Sequence, residues 1–404
     1  MAVILGTKGD DILTGTDERD VFLAAAGNDA IHLLGSDVAY GGPGNDAFLD
    51  DEGLFDPGSS ILLGGRGDDF FLDGGGDDWI FGGPDIDRVS FVLGTDLFVD
   101  LRLGIATDPQ LGTNRLFGVE NVVGTDGSNY IIGNAADNII GAGGFFGTNT
   151  FFGGPGEDSL SGGHGTTILN GGPGDDTLIA GPNVGFGSTK TADYTGARHG
   201  IHVDLLAGQA FDDGFGDTDT LISMTNVTGS AHDDLIVGTA HSIPHNVLRG
   251  LAGNDTLIGR GGPDHIDGGR GKDLIAIRLA PDDLEQGQID GGPGRDTLRL
   301  DDVNRTLDLT ALDDQRISGI ERIDLNDQGN ALVLDIDEIL NISDTSDVLT
   351  VSGGASNSVR GNLPGAVQGA SEVDGTAFTS FTVGQAQLLV ESVVNTSGID
   401  TAVV

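Results

Sequence analysis

The sequence contains no cysteine and only 19 basic residues among 404. The first absence removes disulfides, thiolate metal sites and a cysteine nucleophile. The second is set against 63 acidic residues and a formal net charge of −44. It removes nucleic acid as a partner, because phosphates must be neutralised by Lys and Arg, and it removes electrostatic docking on anionic lipid. Aromatic residues are 5% and hydrophobic residues 37% of the chain, thin for a conventionally packed core. No apolar run approaches the roughly 18 residues of a membrane span, so no transmembrane segment is expected. Residues 1–6 (Met-Ala-Val-Ile-Leu-Gly) lack a basic n-region and are too short for a signal peptide, so any export is expected to bypass a cleaved N-terminal signal.

What the chain has in excess is glycine, 70 residues or about 17% against an average of about 7%, without a collagen period. The glycines beat with a nine-residue period. Clear copies are Gly-Gly-Pro-Gly-Asn-Asp-Ala-Phe-Leu at 41–49, Gly-Gly-Arg-Gly-Asp-Asp-Phe-Phe-Leu at 64–72 and Gly-Gly-Pro-Gly-Asp-Asp-Thr-Leu-Ile at 171–179. The pattern is G-G-x-G-x-D-x-U-x, with U a large apolar residue. The sixth position runs through Asp11, Asp20, Asp29, Asp37, Asp46, Ser60, Asp69, Asp78 and Asp87. It continues through Asn129, Asn138, Asn149, Asp158, Thr167 and Asp176, and then Asp234, Asn246, Asp255, Asp264, Asp273 and Asp296. Two residues after each stands an apolar side chain, from Leu13 and Phe22 to Ile275 and Leu298, and only Ala39 is small. Internal periodicity of this kind marks a repeat architecture.

The first half of each repeat places glycine where a tight turn needs positive φ or close backbone approach. The second half reads as a three-residue strand with its middle side chain inward. Two such units make a coil of about 18 residues, so repeats two apart stack on the same side. Asp11 then stacks with Asp29, Asp69 with Asp87, Asp158 with Asp176 and Asp255 with Asp273. Carboxylates stacked at strand spacing repel one another unless a counter-ion intervenes. A hard cation that accepts carboxylate and carbonyl oxygen resolves this, and Ca²⁺ suits a flexible turn better than Mg²⁺, which demands octahedral geometry. Zn²⁺ is disfavoured without Cys or clustered His.

Over roughly residues 6–300 these motifs resemble the repeats-in-toxin (RTX, haemolysin-type) calcium-binding family. The resemblance implies an all-β parallel β-roll, a β-helix-like solenoid, in which sixth-position Asp and turn carbonyls of stacked repeats share several Ca²⁺ ions. Carried onto this chain, the metal ligands are Asp11, Asp20, Asp29, Asp37, Asp46, Asp69, Asp78, Asp87, Asp158, Asp176, Asp234, Asp255, Asp264, Asp273 and Asp296. Ser60, Thr167 and the Asn positions break the pattern, and calcium is expected to be weak or absent there, above all around Asn129, Asn138 and Asn149.

Two segments that echo each other separate the runs: 88–123, with Val-Asp-Leu at 99–101, and 191–228, with Val-Asp-Leu at 203–205. A fainter third copy has Leu-Asp-Leu at 307–309 followed by Ile-Glu-Arg-Ile at 320–323, and Asp100, Asp204 and Asp308 recur at one fixed step. The expected organisation is a roll block at 1–90, a β-rich insert at 91–123, a second block at 124–190, an insert at 191–228, a third block at 229–300 and a β-rich region at 301–404. The C-terminal tail is similar to the uncleaved signals of RTX proteins, which implies export through type I secretion machinery of a Gram-negative bacterium to the extracellular space.

No H-E-x-x-H, G-x-S-x-G, EF-hand or Walker A string occurs. Of the scattered histidines, His199 with His202, or His241 with His245, could share a surface and ligate a metal, but turn or surface positions account for them more simply. The repeats begin at residue 6, so no upstream catalytic domain is expected. The functional expectation is a secreted calcium-folded module for structure, adhesion or surface matrix, with cell-surface or matrix polysaccharide as a partner. The alternative is an extracellular polysaccharide lyase or epimerase built on the roll.

Overall fold

The computed structural model describes residues 1–50, 58–91, 94–144, 147–181, 188–240, 245–279, 283–343 and 346–402. The chain forms two compact units, Met1–Asp193 with Asp217–Met224, and Tyr194–Gly216 with Thr225–Val404. Both are β-rolls of short parallel strands, as the nine-residue beat predicts.

In the first unit, strands Val3–Leu5, Val21–Leu23, Val38–Pro43, Ile61–Arg66 and Trp79–Phe81 form one parallel ladder. The alternate strands, from Ile12–Thr14 and Ala30–Leu33 through Phe70–Asp73 to Thr177–Ile179, form the other. In each three-residue strand only the middle side chain points inward, because successive Cβ atoms alternate across a strand. The result is one apolar column per ladder. Leu13, Ile31, Phe48, Phe71, Val89, Val122, Ile140, Leu160 and Leu178 are in direct register and all buried. Phe48 and Phe71 stack at 4.8 Å between ring centroids. Each such side chain contributes about 1.5–3 kcal/mol by leaving water. The core is thus narrow and repeats along the axis, and its stability accumulates coil by coil.

The segment after the first run is an antiparallel meander, Asp96–Asp100, Ile105–Asp108 and Gly112–Phe117. It is inlaid in the ladder: Gly112–Phe117 pairs in parallel with Trp79–Phe81, and Asp96–Asp100 with Ser128–Ile132. The Val-Asp-Leu string has a local role here. Asp100 Oδ1 accepts the backbone N–H groups of Arg102 and Leu103 and so closes the meander's first turn. Asp204 does the same for Leu206 and Ala207 in the second unit.

In the second unit the column runs Val203, Ile236, Leu257, Ile275, Leu298, Ile323, Val351 and Val390. Parallel stacking therefore continues past residue 300, where the glycine motif ends. Asparagine amides hold the turns there: Asn330 Nδ2 donates to the carbonyls of Asp302 and Leu325, and Asn357 Nδ2 to those of Leu325 and Asn330. An antiparallel meander, Val367–Val373, Thr376–Val383 and Ala386–Glu391, follows. No helix among the described residues is long and apolar enough to cross a membrane.

Candidate metal centres

Each sixth-position Asp ends its turn immediately before a strand, so its side chain stands at the flank of the roll beneath the neighbouring turn. The backbone N–H of one such residue donates to Oδ1 of its neighbour one coil on. In the first unit the contacts are Asp11 to Asp29 at 2.8 Å, Asp29 to Asp46 at 2.9 Å, Asp46 to Asp69 at 2.8 Å and Asp69 to Asp87 at 2.8 Å. On the opposite flank Asp20 donates to Asp37, Asp37 to Ser60 Oγ and Ser60 to Asp78. Asp158 donates to Asp176 at 2.8 Å. In the second unit Asp234, Asp255, Asp273 and Asp296 form the same chain, at 2.8, 2.8 and 2.7 Å, and Asn246 donates to Asp264 at 2.9 Å. All four pairs expected to stack do so.

The second carboxylate oxygen divides these turns into two kinds. In G-G-x-G-x-D turns, the second residue has positive φ, +117° at Gly42 and +122° at Gly65, a region open to glycine. The first glycine lies flat against the carboxylate, and a Cβ at Gly64 would collide with Asp69 Oδ2. Oδ2 of Asp46, Asp69, Asp87, Asp158 and Asp273 in such G-G turns is buried and has no hydrogen-bond partner. The same holds for Oδ2 of Asp29 and Asp255, whose turns carry Ala25 and Leu251 at positive φ in the second position. In turns whose second residue is Thr or Ser, that residue closes the turn itself. Asp11 Oδ2 accepts from Thr7, Asp20 Oδ2 from Thr16 N and Oγ1 at 2.9 and 2.7 Å, and Asp234 Oδ2 from Ser230 N at 2.7 Å. Asp37 Oδ2 accepts from Leu34 N at 3.2 Å.

A buried, unpartnered carboxylate oxygen costs several kcal/mol unless it is protonated or meets a cation. Burial pushes Asp46, Asp87 and Asp158 up to about 6, and Asp69 and Asp255 up to about 7. It also raises Asp29, Asp37, Asp234 and Asp273. Asp78 rises to about 6 for the same reason. Asp20 moves the other way, held low by the N–H of Ala2 and by Thr16. Among the described residues no three His, Asp or Glu side chains converge on one point. With one buried carboxylate in each of these turns, an ion here would draw its other ligands from turn carbonyls, an oxygen set suited to Ca²⁺ and not to Zn²⁺.

A pH dependence follows. In the unfolded chain these carboxyls titrate near 3.9. Between about pH 4 and their folded values of about 6–7 the folded state holds more protons, so the calcium-free roll loses stability as pH rises through that window. In EDTA the far-UV β signal is expected to be larger at pH 5 than at pH 7.5, and calcium affinity should rise over the same interval. A calcium-free signal that grew towards pH 7.5 would refute the assignment of these carboxyls.

Four acidic or amide groups outside the nonapeptide runs continue the flanks, and sequence reading missed all of them. Asp78 N donates to Asn114 Oδ1, Asp87 N to Glu120 Oε2, Asp176 N to Asp219 Oδ1 and Asp296 N to Glu321 Oε2. Glu120 stands in a Val-Glu-Asn string at 119–121, and Glu321 in the Ile-Glu-Arg-Ile string at 320–323, which the sequence showed without a role. Among the described residues the histidines make no metal set. His199 lies beside His232 at 6.5 Å between ring centroids, His202 packs on Phe211, and His245 lies beside His265. His241 is outside the described residues.

A family model described as RTX calcium-binding nonapeptide repeat (4 copies) matches residues 5–34, 33–49, 56–89, 117–146, 143–178 and 245–275. A search of curated proteins finds no match.

Proposed function

Given that this chain carries RTX repeats, which bind Ca²⁺ and in multiple copies bind multiple ions, we propose that it is a secreted protein whose roll is completed by calcium outside the cell. It then serves as a structural, adhesive or matrix module. The observation that carries the reading is the set of unpartnered, buried Asp Oδ2 atoms in turns whose second residue has positive φ, set against the self-closed carboxylates of the Thr and Ser turns. The ions belong at Asp29, Asp46, Asp69, Asp87, Asp158, Asp255 and Asp273. Asp176, Asp264 and Asp296 occupy the same stacked position and extend the assignment. Asp11, Asp20, Asp37, Asp78 and Asp234 shape the turns and flank the ions. The high negative charge keeps the chain expanded at low cytosolic calcium, which suits passage through type I secretion machinery, and millimolar calcium outside drives folding.

The partner proposed is a polysaccharide of the cell surface or matrix. In the first unit the outer side of one ladder carries the register Leu5, Leu23, Tyr40, Leu63, Phe81 and Phe117, with Trp79 beside it. Trp79, Phe81 and Phe117 stack at 4.7–6.3 Å between centroids, and Tyr40, Trp79 and Phe117 stay exposed. An exposed apolar column of this kind marks an interaction face. On a glycan array in calcium, Trp79→Ala is expected to weaken binding about tenfold, an aromatic anchor being worth roughly 1–2 kcal/mol. Unchanged binding would remove this face from the proposal. Turnover assays on uronate polymers separate the module from an enzyme, and depolymerised or epimerised product would sink the module reading.

A further inference from the structure

The coils over residues 124–193 have two flanks of opposite chemistry. One carries Asn138, Asp158, Asp176 and Asp219, linked by backbone N–H to side-chain oxygen contacts. The other carries Asn129, Asn149, Thr167 and Lys190 in direct register on parallel strands Ser128–Ile132, Thr148–Phe152, Thr166–Asn170 and Lys190–Asp193. All four are buried, and Lys190 has no exposed surface. The sixth-position column on this flank therefore has no carboxylate, and it supplies donors where the other supplies acceptors.

The donors point at turn carbonyls. Asn129 Nδ2 donates to Thr125 O and Gly127 O, each at 3.1 Å, and to Asn149 Oδ1 at 2.7 Å. Asn149 Nδ2 donates to Gly162 O at 2.9 Å, and Thr167 Oγ1 to the same oxygen at 3.1 Å. The Lys190 ammonium donates to Gly163 O at 2.8 Å, Gly165 O at 2.5 Å and Thr167 Oγ1 at 3.3 Å. A turn whose carbonyls converge needs positive charge or N–H donors. A lysine ammonium is a compact cation with three donors, able to take the part of an ion there.

We propose that this flank is a calcium-independent seam in which the Lys190 ammonium stands in the position an ion takes among the carbonyls of a G-G turn. The proposal rests on the calcium reading of the other turns. Its consequence is that the seam keeps its strands when calcium is removed, while acidic turns such as 64–72 open.

The test combines hydrogen exchange in EDTA at pH 7.5 with native mass spectrometry of the full chain. Seam peptides over 128–132, 148–152, 166–170 and 190–193 are expected to exchange about tenfold or more slowly than 64–72, the worth of one or two charge-assisted hydrogen bonds. Lys190→Met should abolish that protection, and calcium should not restore it at 166–170, because Thr167 offers no carboxylate. The double variant Thr167→Asp with Lys190→Ala should regain protection only in calcium and bind one additional ion. Seam peptides exchanging as fast as 64–72, protection that survives Lys190→Met, or a double variant that gains no ion would each overturn the proposal. Should Lys190→Met not fold, the double variant decides. A wild-type chain that bound no calcium would instead refute the reading of the acidic turns, and the EDTA comparison would still judge the seam.

Discussion

Chelation of calcium at pH 7.5 is expected to erase most of the far-UV β signal, and added Ca²⁺ to restore it in a cooperative step. The physical reason is the balance between a narrow core and a large charge. Each coil buries little more than one apolar side chain per strand, and the flanks stack carboxylates whose Oδ2 atoms have no protein partner. At a tenfold excess over its dissociation constant, each ion bound only by the folded state adds about 1.4 kcal/mol. A handful of ions thus matches the entire ~5–15 kcal/mol stability of an ordinary domain. Without them the formal charge of −44 works against the compact state. Circular dichroism in EDTA, titrated with calcium, reads this directly. A full β signal in EDTA would show that the fold does not depend on the ions.

Asp69→Ala and Asp255→Ala are expected to lower the calcium count and fray adjacent coils, whereas Asp20→Ala should leave the count unchanged. Asp69 and Asp255 each accept the preceding coil's N–H on Oδ1 and leave Oδ2 open. Truncation therefore removes an ion's ligand and strands a buried N–H, the latter alone costing about 1–3 kcal/mol. In a unit of this size that corresponds to a Tm lower by about 2–12 °C in calcium. Asp20 has both oxygens held by Ala2 and Thr16, so its loss costs hydrogen bonds but no ion. Repeats touch only their neighbours, so the damage should stay local, visible as faster exchange in flanking strands. An unchanged count by calorimetry in both Asp69→Ala and Asp255→Ala would contradict their assignment.

The parallel roll was legible because its cause is local. An apolar residue two places after each Asp must face inward, and an 18-residue coil must stack Asp69 on Asp87. Much of the site was hidden for non-local reasons. Asn114, Glu120, Asp219 and Glu321 reach their flanks after 36, 33, 43 and 25 residues, outside any nine-residue count. The contrast between Asp69 and Asp20 depends on the second residue of the turn, Gly65 against Thr16, whose significance appears only once Oδ2 is seen open or closed. The fading of calcium expected at Asn129, Asn149 and Thr167 rested on missing carboxylates. The geometry adds why the turns there can close regardless, since Lys190 lies 23 residues beyond Thr167, in no nonapeptide at all. Past residue 300 the glycine signal ends, but Asn330 and Asn357 carry the stacking on.

Long-wavelength diffraction from crystals grown in calcium tests the central claim most directly, because anomalous peaks locate the ions without assumption. Peaks are predicted beside Oδ2 of Asp29, Asp46, Asp69, Asp87, Asp158, Asp255 and Asp273, with none along Asn129, Asn149, Thr167 and Lys190. No peak beside these seven carboxylates, or ions confined to the self-closed turns of Asp11, Asp20 and Asp234, would contradict it.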